Sequence, residues 1–107
     1  MKSILKLAAA ALFLTTGAFA ADKIKIGTEG AYPPFNSITA DGKVVGFDID
    51  IANALCEKMK AECEIVTQDW DGIIPGLIAK KYDAIIASMS ITDDRKKEVA
   101  FTNPYYK

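Results

Sequence analysis

The 107-residue sequence contains no histidine. That excludes Ser-His and Cys-His nucleophile pairs and removes the commonest metal ligand. Only two cysteines occur, Cys56 and Cys63, and a Cys-x6-Cys spacing without histidine is a poor zinc pattern. Neither a metal nor a cofactor is expected. No excess of basic charge is present, with 13 Lys and Arg against 14 Asp and Glu. A nucleic-acid surface is therefore not expected. There is no internal repeat, no low-complexity segment and no linker. After residue 20 no apolar run is long enough to span a bilayer. The chain is one domain at most.

The first twenty residues read differently from the rest. Lys2 and Lys6 give a positive start, Leu7 to Thr16 is a short apolar run, and Ala18-Phe19-Ala20 is a small-x-small cleavage pattern. This is the pattern of a secretory signal peptide, with cleavage expected after Ala20. The mature part, residues 21–107, keeps 11 basic and 14 acidic residues, a formal charge of −3. Export places Cys56 and Cys63 in an oxidising compartment and suggests a disulfide, with two free thiols as the alternative. On one continuous helix their Cα atoms would lie about 10 Å apart, too far to bridge. A bridge requires the helix to end near Lys60 or Ala61 and the chain to turn back.

Lys23 to Thr28 alternates polar and apolar residues and predicts a first strand. Glu29-Gly30-Ala31-Tyr32-Pro33-Pro34-Phe35 follows as a rigid loop, since two prolines forbid helix. Tyr32 and Phe35 either pack under that loop or face a ligand. Glu29, a carboxylate beside aromatics, needs a partner. Asp41-Gly42 marks a hairpin turn before a short strand, Lys43 to Phe47. From Asp48 the period becomes helical, with Ile49, Ala52, Leu55, Cys56 and Met59 on one face. Asp48 and Asp50 fit helix capping at the positive end of the dipole. Glu64 to Thr67 is the next strand. A helix carrying Ile73, Ile74, Leu77 and Ile78 follows, with Pro75 expected in or near its first turn. Trp70, the sole tryptophan, lies at that strand-to-helix turn, either on the core rim or as a stacking wall. The alternation predicts an α/β fold with parallel strands.

Ala84 to Ala87 predicts a buried strand, and Ser88-Met89-Ser90-Ile91-Thr92-Asp93-Asp94-Arg95 leaves its end. Thr92 before two aspartates is a helix start. Ligands of open α/β sheets bind beyond strand carboxyl ends. Ser88, Ser90, free backbone N–H groups and Arg95 together suit a small carboxylate, with the guanidinium able to grip both oxygens. The plainer reading is a polar loop with a solvated arginine.

Three stretches coincide: Thr28 to Phe35, Gly46-Phe47-Asp48-Ile49-Asp50 to Leu55, and Ala87 to Arg95. Together they resemble the family 3 solute-binding proteins of bacterial ABC importers, and most of all the binders of lysine, arginine and ornithine and of opines. The resemblance covers nearly all of residues 21–107. It implies a type II periplasmic-binding-protein fold, a two-lobed clamshell that delivers one amino acid to a membrane permease. Arg95 would hold the α-carboxylate, with Ser88 and Ser90 nearby. Tyr32 and Trp70 would sandwich the side chain, and Glu29 would face its distal cation. Cys56 and Cys63 resemble the disulfide cysteines of the basic-amino-acid members. Ala87 departs from members with a further serine there. Residues 21–107 would be the N-terminal part of lobe 1, incomplete at the C-terminus, and alone would bind weakly for want of a partner to the α-ammonium. A periplasmic monomer without catalytic activity is expected. A prephenate- or arogenate-type dehydratase and a receptor's sensor domain are the competing readings.

Overall fold

A computed structural model of the chain describes residues 21–107. The signal-peptide expectation for residues 1–20 lies outside the described residues. Strand β1, Lys23–Thr28, is the centre of a three-stranded parallel sheet. On one side it pairs along its whole length with β5, Glu62–Thr67, from Lys23 opposite Glu62 to Thr28 opposite Thr67. On the other it pairs with β6, Ala84–Ile85, through Ile26 opposite Ala84 and Gly27 opposite Ile85. Helix α1, Phe47–Met59, leads into β5, and helix α2, Trp70–Ile78, carries the chain from β5 to β6. This is the parallel α/β arrangement that the alternation predicts.

A second, antiparallel sheet lies between β1 and α1. Its strands are β2, Ala31–Tyr32, β3, Asn36–Ile38, and β4, Val44–Val45. The expected rigid loop is thus a hairpin, folded at Pro33-Pro34, whose peptide bond is cis. The Asp41-Gly42 turn closes as expected, with the Gly42 N–H donating to Thr39 O at 2.9 Å. The strand expected over Lys43 to Phe47 is shorter, because Gly46 already turns the chain into α1. Gly46 has φ 129°, and a Cβ there would run into the Phe35 carbonyl. Only glycine meets both demands.

Helix α1 buries Asp48, Ile49, Ala52 and Cys56. Leu55 and Met59, expected on the same face, are exposed. The sheet is narrow and covers only the middle of the stripe, so a residue at its margin and one in the last turn stay outside. The helix ends at Lys60 in the left-handed conformation, with the Ala61 N–H bonded to Cys56 O at 3.0 Å. The chain therefore turns back where a Cys56–Cys63 bridge requires it. The disulfide is present, with Cα atoms 6.2 Å apart. β5 consequently starts at Glu62, two residues earlier than expected, and includes Cys63. Ile26, Ala52 and Cys56 form the core on this side, with Ile24, Cys63, Ile65 and Ile86 packed around them.

Helix α2 starts at Trp70, before its apolar stripe, so Pro75 lies beyond the first turn. The expected position in or near that turn is corrected. Proline leaves the Asp71 carbonyl without its helical N–H donor. Packing holds α2 instead: Ile73 is buried with Tyr82 and Ala87, and the Tyr82 hydroxyl donates to the Ile73 carbonyl. β6 stops at Ile85, although the Ile86 N–H still bonds to Gly27 O at 3.0 Å. The one-turn helix α3, Asp93–Lys96, ends the regular structure. Among the described residues no helix is long and apolar enough to cross a membrane.

Two outcomes follow from these contacts. Replacing both cysteines with serine should lower stability by about 2.5 kcal/mol, the loop-entropy value for so short a closure; urea unfolding of oxidised and variant protein measures it, and no loss would show that the turn at Lys60 needs no bridge. Gly42→Ala, which meets no atom within 4 Å, should cost only its dihedral penalty, about 1–2 kcal/mol. Gly46→Ala adds a backbone collision and should cost more, so equal urea midpoints would mean that the hairpin can retreat.

Candidate functional site

Parallel pairing brings the carboxyl ends of β1, β5 and β6 to one edge of the sheet. Glu29 follows β1, Trp70 lies just after β5, and Ser88 lies just after β6. The sheet order β5-β1-β6 reverses direction at β1, so this edge is also the switch point at which α/β sheets open a crevice.

The six residues singled out in the sequence fall into three groups. Arg95 meets both Ser90 and Trp70. The Arg95 Nη1 donates to the Ser90 carbonyl at 2.8 Å, and the guanidinium lies 5.6 Å from the centroid of the Trp70 ring. Trp70, half-buried, also packs on the Ile73, Tyr82 and Ala87 core and so sits on the core rim. Tyr32, Ser88 and Ser90 share a groove of about 690 Å³, together with Phe35 and residues 99–107. Glu29 stands apart from both groups. It lines a depression of about 290 Å³ with Ile38, Thr67, Gln68 and Asp69, the residues at the neighbouring strand end. The Tyr32 ring packs on Phe35, centroids 5.0 Å apart.

Charge is unevenly satisfied. Among the described residues the one ion pair is Lys97–Asp94 at 3.4 Å, on the surface. Arg95 is half-buried, faces an aromatic ring and has no carboxylate partner among those residues. A guanidinium so placed is suited to an incoming anion. The expected helix start holds, since Thr92 Oγ1 accepts the Arg95 N–H at 3.2 Å. Within α3 the cap takes the Arg95 N–H, and the Lys96 N–H bonds to Thr92 O at 2.9 Å. Among the described residues no group of three or more His, Cys, Asp or Glu side chains could hold a metal ion.

Ser88 is held from an unexpected direction. It has φ 55°, the left-handed conformation that bends the chain away from β6. Its Oγ donates to Asp48 Oδ1 at 2.7 Å. Tyr105 donates to the same oxygen at 2.6 Å and accepts the Ser88 N–H at 3.3 Å. Asp48 Oδ2 accepts from Asn36 Nδ2 at 2.8 Å, and Asn36 Oδ1 accepts the Gly30 N–H at 2.7 Å. The capping reading of Asp48 is thereby corrected: the N-cap is Gly46, which makes no side-chain cap bond, and the Asp48 carboxylate points inward, fully buried. Neither Asn36 nor Tyr105 stood out in the sequence. An asparagine among prolines and aromatics, and a tyrosine after Pro104, look like ordinary loop residues. Ala87 buries its methyl group in the core.

Residues 24–107 match the family of bacterial extracellular solute-binding proteins, family 3. The chain belongs to that family. It is 56% identical to an L-arginine-binding protein of Pseudomonas aeruginosa over 99% of this chain and 42% of the relative. It is 52% identical to an octopine-binding periplasmic protein of Rhizobium meliloti over 98% of this chain and 35% of the relative. The chain therefore spans 35–42% of the length of these two relatives. Among solved structures, an arginine-bound form of domain 1 from TmArgBP superposes with a TM-score of 0.75 at 42% identity, covering 78% of this chain and 67% of that one. The family fold, an α/β layer around a parallel sheet, is thus shared over most of residues 24–107.

One pH response follows. Burial and the bond to Asp48 push the Tyr105 phenol up to about 12, and burial raises that of Tyr82. A raised phenol pKa favours the neutral ring in the folded state. Its stabilisation is complete below pH of about 10, the ordinary value, and disappears as pH rises toward about 12. The urea midpoint should fall across that window, and less steeply in Tyr105→Phe. Identical slopes would remove Tyr105 from the linkage.

Proposed function

We propose that this chain belongs to the periplasmic substrate-binding component of an ABC importer for a basic amino acid: arginine, lysine, ornithine or a derived opine. Residues 21–107 are the N-terminal part of its first lobe, and residues 1–20 are its signal peptide. The observation that carries this reading is that Glu29 and Arg95, the latter with no carboxylate partner among the described residues, lie on loops leaving one sheet edge. Arg95 suits an α-carboxylate and Glu29 a distal cation. Ser88 and Ser90 offer hydroxyl or backbone contacts near the carboxylate, and the faces of Tyr32 and Trp70 offer stacking surfaces for the side chain. The partners are the amino acid and the importer's permease. The chain works as a monomer and does not bind nucleic acid.

Binding rather than catalysis is supported by the relatives, which are described as arginine- and octopine-binding proteins. The arginine-bound domain 1 of TmArgBP supports placing the principal contacts on the first lobe. A second lobe would add the partner for the α-ammonium and bury more of the ligand.

Trp70 is the only tryptophan and lies against Arg95, so its emission reports ligation of the site. Titration with arginine, lysine and ornithine up to tens of millimolar should shift that emission, and glycine should not. Glu29→Gln should cost arginine about 2 kcal/mol, roughly thirtyfold, and leave a neutral amino acid unaffected. Arg95→Lys should weaken every α-amino acid, because a point charge cannot replace the fork. Equal losses for charged and neutral ligands in Glu29→Gln would sink the assignment of Glu29, and absence of any ligand-dependent shift in the unaltered chain would sink the basic-amino-acid reading.

A further inference from the structure

The carboxylate of Asp48 joins segments that are far apart in sequence. Gly30, Asn36, Asp48, Ser88 and Tyr105 belong respectively to the loop after β1, the hairpin, the first turn of α1, the loop after β6 and the C-terminal segment. The directions of their hydrogen bonds are fixed. The Gly30 N–H can only donate, so Asn36 must present Oδ1 to it and Nδ2 to Asp48. Asp48 must then accept at Oδ2, while Oδ1 takes the hydroxyls of Ser88 and Tyr105. Asn36 and Asp48 are both fully buried, so water cannot replace a lost partner.

Helix capping does not account for Asp48, because its oxygens meet side chains from other elements rather than N–H groups of α1. Simple core filling does not account for the pair either, since an apolar pair of similar shape would avoid the cost of desolvating a carboxylate. What the pair does is set positions. Gly30 is the neighbour of Glu29, and Ser88 is two residues from Ser90 and left-handed at its own backbone. Both loops that supply polar groups to the site are tied to one carboxylate.

We propose that Asp48 and Asn36 are positioning residues of the amino-acid site, acting through Ser88 on the carboxylate side and through Gly30 on the Glu29 side. The proposal rests on the functional reading above for its ligand, but its geometry can be tested without one. The fixed directions make a specific demand. Asp48→Asn alone leaves one acceptor oxygen where the network uses two: its NH2 must face either the Asn36 NH2 or the donating hydroxyls of Ser88 and Tyr105, and Asn36 cannot flip without losing Gly30. Asn36→Asp alone places two carboxylate oxygens face to face. Together the two changes keep every hydrogen bond, reverse the polarity of the one between residues 36 and 48, and leave net charge unchanged.

The experiment places Asn36→Asp, Asp48→Asn and the double exchange in the whole chain. It follows the Tyr105 ring carbon by NMR with labelled tyrosine and the arginine affinity by Trp70 emission. Each single variant should move the Tyr105 resonance and weaken arginine about tenfold, the effect of one unsatisfied buried group. The double exchange should return the resonance and bring affinity back to within about threefold. A double variant no nearer to the unaltered chain than the worse single would overturn the proposal. So would singles that leave both signals unchanged. If the singles do not fold, Tyr105→Phe removes one donor at the edge of the network and should weaken arginine about threefold, with no change overturning the proposal. If the unaltered chain shows no response to arginine, the ligand reading fails alone, and recovery or non-recovery of the Tyr105 resonance in the double exchange decides the positioning role.

Discussion

The pairing of β1 with two parallel neighbours is the constraint on which everything else depends. Parallel strands cannot be joined by tight turns, so each connection must cross the sheet as a helix and return to the same end. That requirement creates α1 and α2. It also delivers Glu29, Trp70 and Ser88 to one edge, although they lie scattered along sixty residues of chain. β1 is flanked on both sides and covered by side chains, so its inner residues must be small or apolar. Gly27 fits this, because Tyr82 packs directly over it. A change that broke the register of β1 would shift its whole inward-facing set and separate the three loops together.

What could be read in the sequence was what is written locally. Thr92 before two acids marked a cap, and the cap forms. The seven-residue cysteine spacing fixed where α1 had to stop, and Lys60 stops it. The alternation of strand and helix patterns carried the layer architecture. Other features failed for reasons equally physical. Leu55 and Met59 satisfy helical periodicity, but periodicity records only the face a helix offers, not how wide a sheet covers it. Pro75 was placed by the rule for helix starts, whereas α2 begins before its apolar stripe. Asp48 met the local criterion for a cap and is used instead for contacts 12, 40 and 57 residues away in sequence. No short-range pattern contains such information.

The site was legible in part for the same reason. Arg95 and Trp70 were each singled out locally, but their contact depends on the crossover of α2. Tyr32 and Glu29 are only three residues apart, yet they line different depressions, because Gly30, at φ 82°, bends the chain between them. Resemblance to the family 3 binders supplied roles for these residues; the geometry supplies the reason those roles are compatible. An acid and a guanidinium on the same sheet edge, held by separate loops, do not neutralise one another.

The disulfide has a consequence of another kind. It joins the last turn of α1 to the second residue of β5, at the end of the sheet from which strands depart. The loops that carry Glu29, Trp70 and Ser88 leave from the opposite end. The covalent link therefore acts like a rivet at the foot of the sheet, reducing the freedom of the unfolded chain without stiffening the rim. Durability and adaptability are assigned to opposite ends of the same strands. A cross-link so placed adds stability to the fold and leaves the geometry of the candidate site to the hydrogen bonds among its own loops.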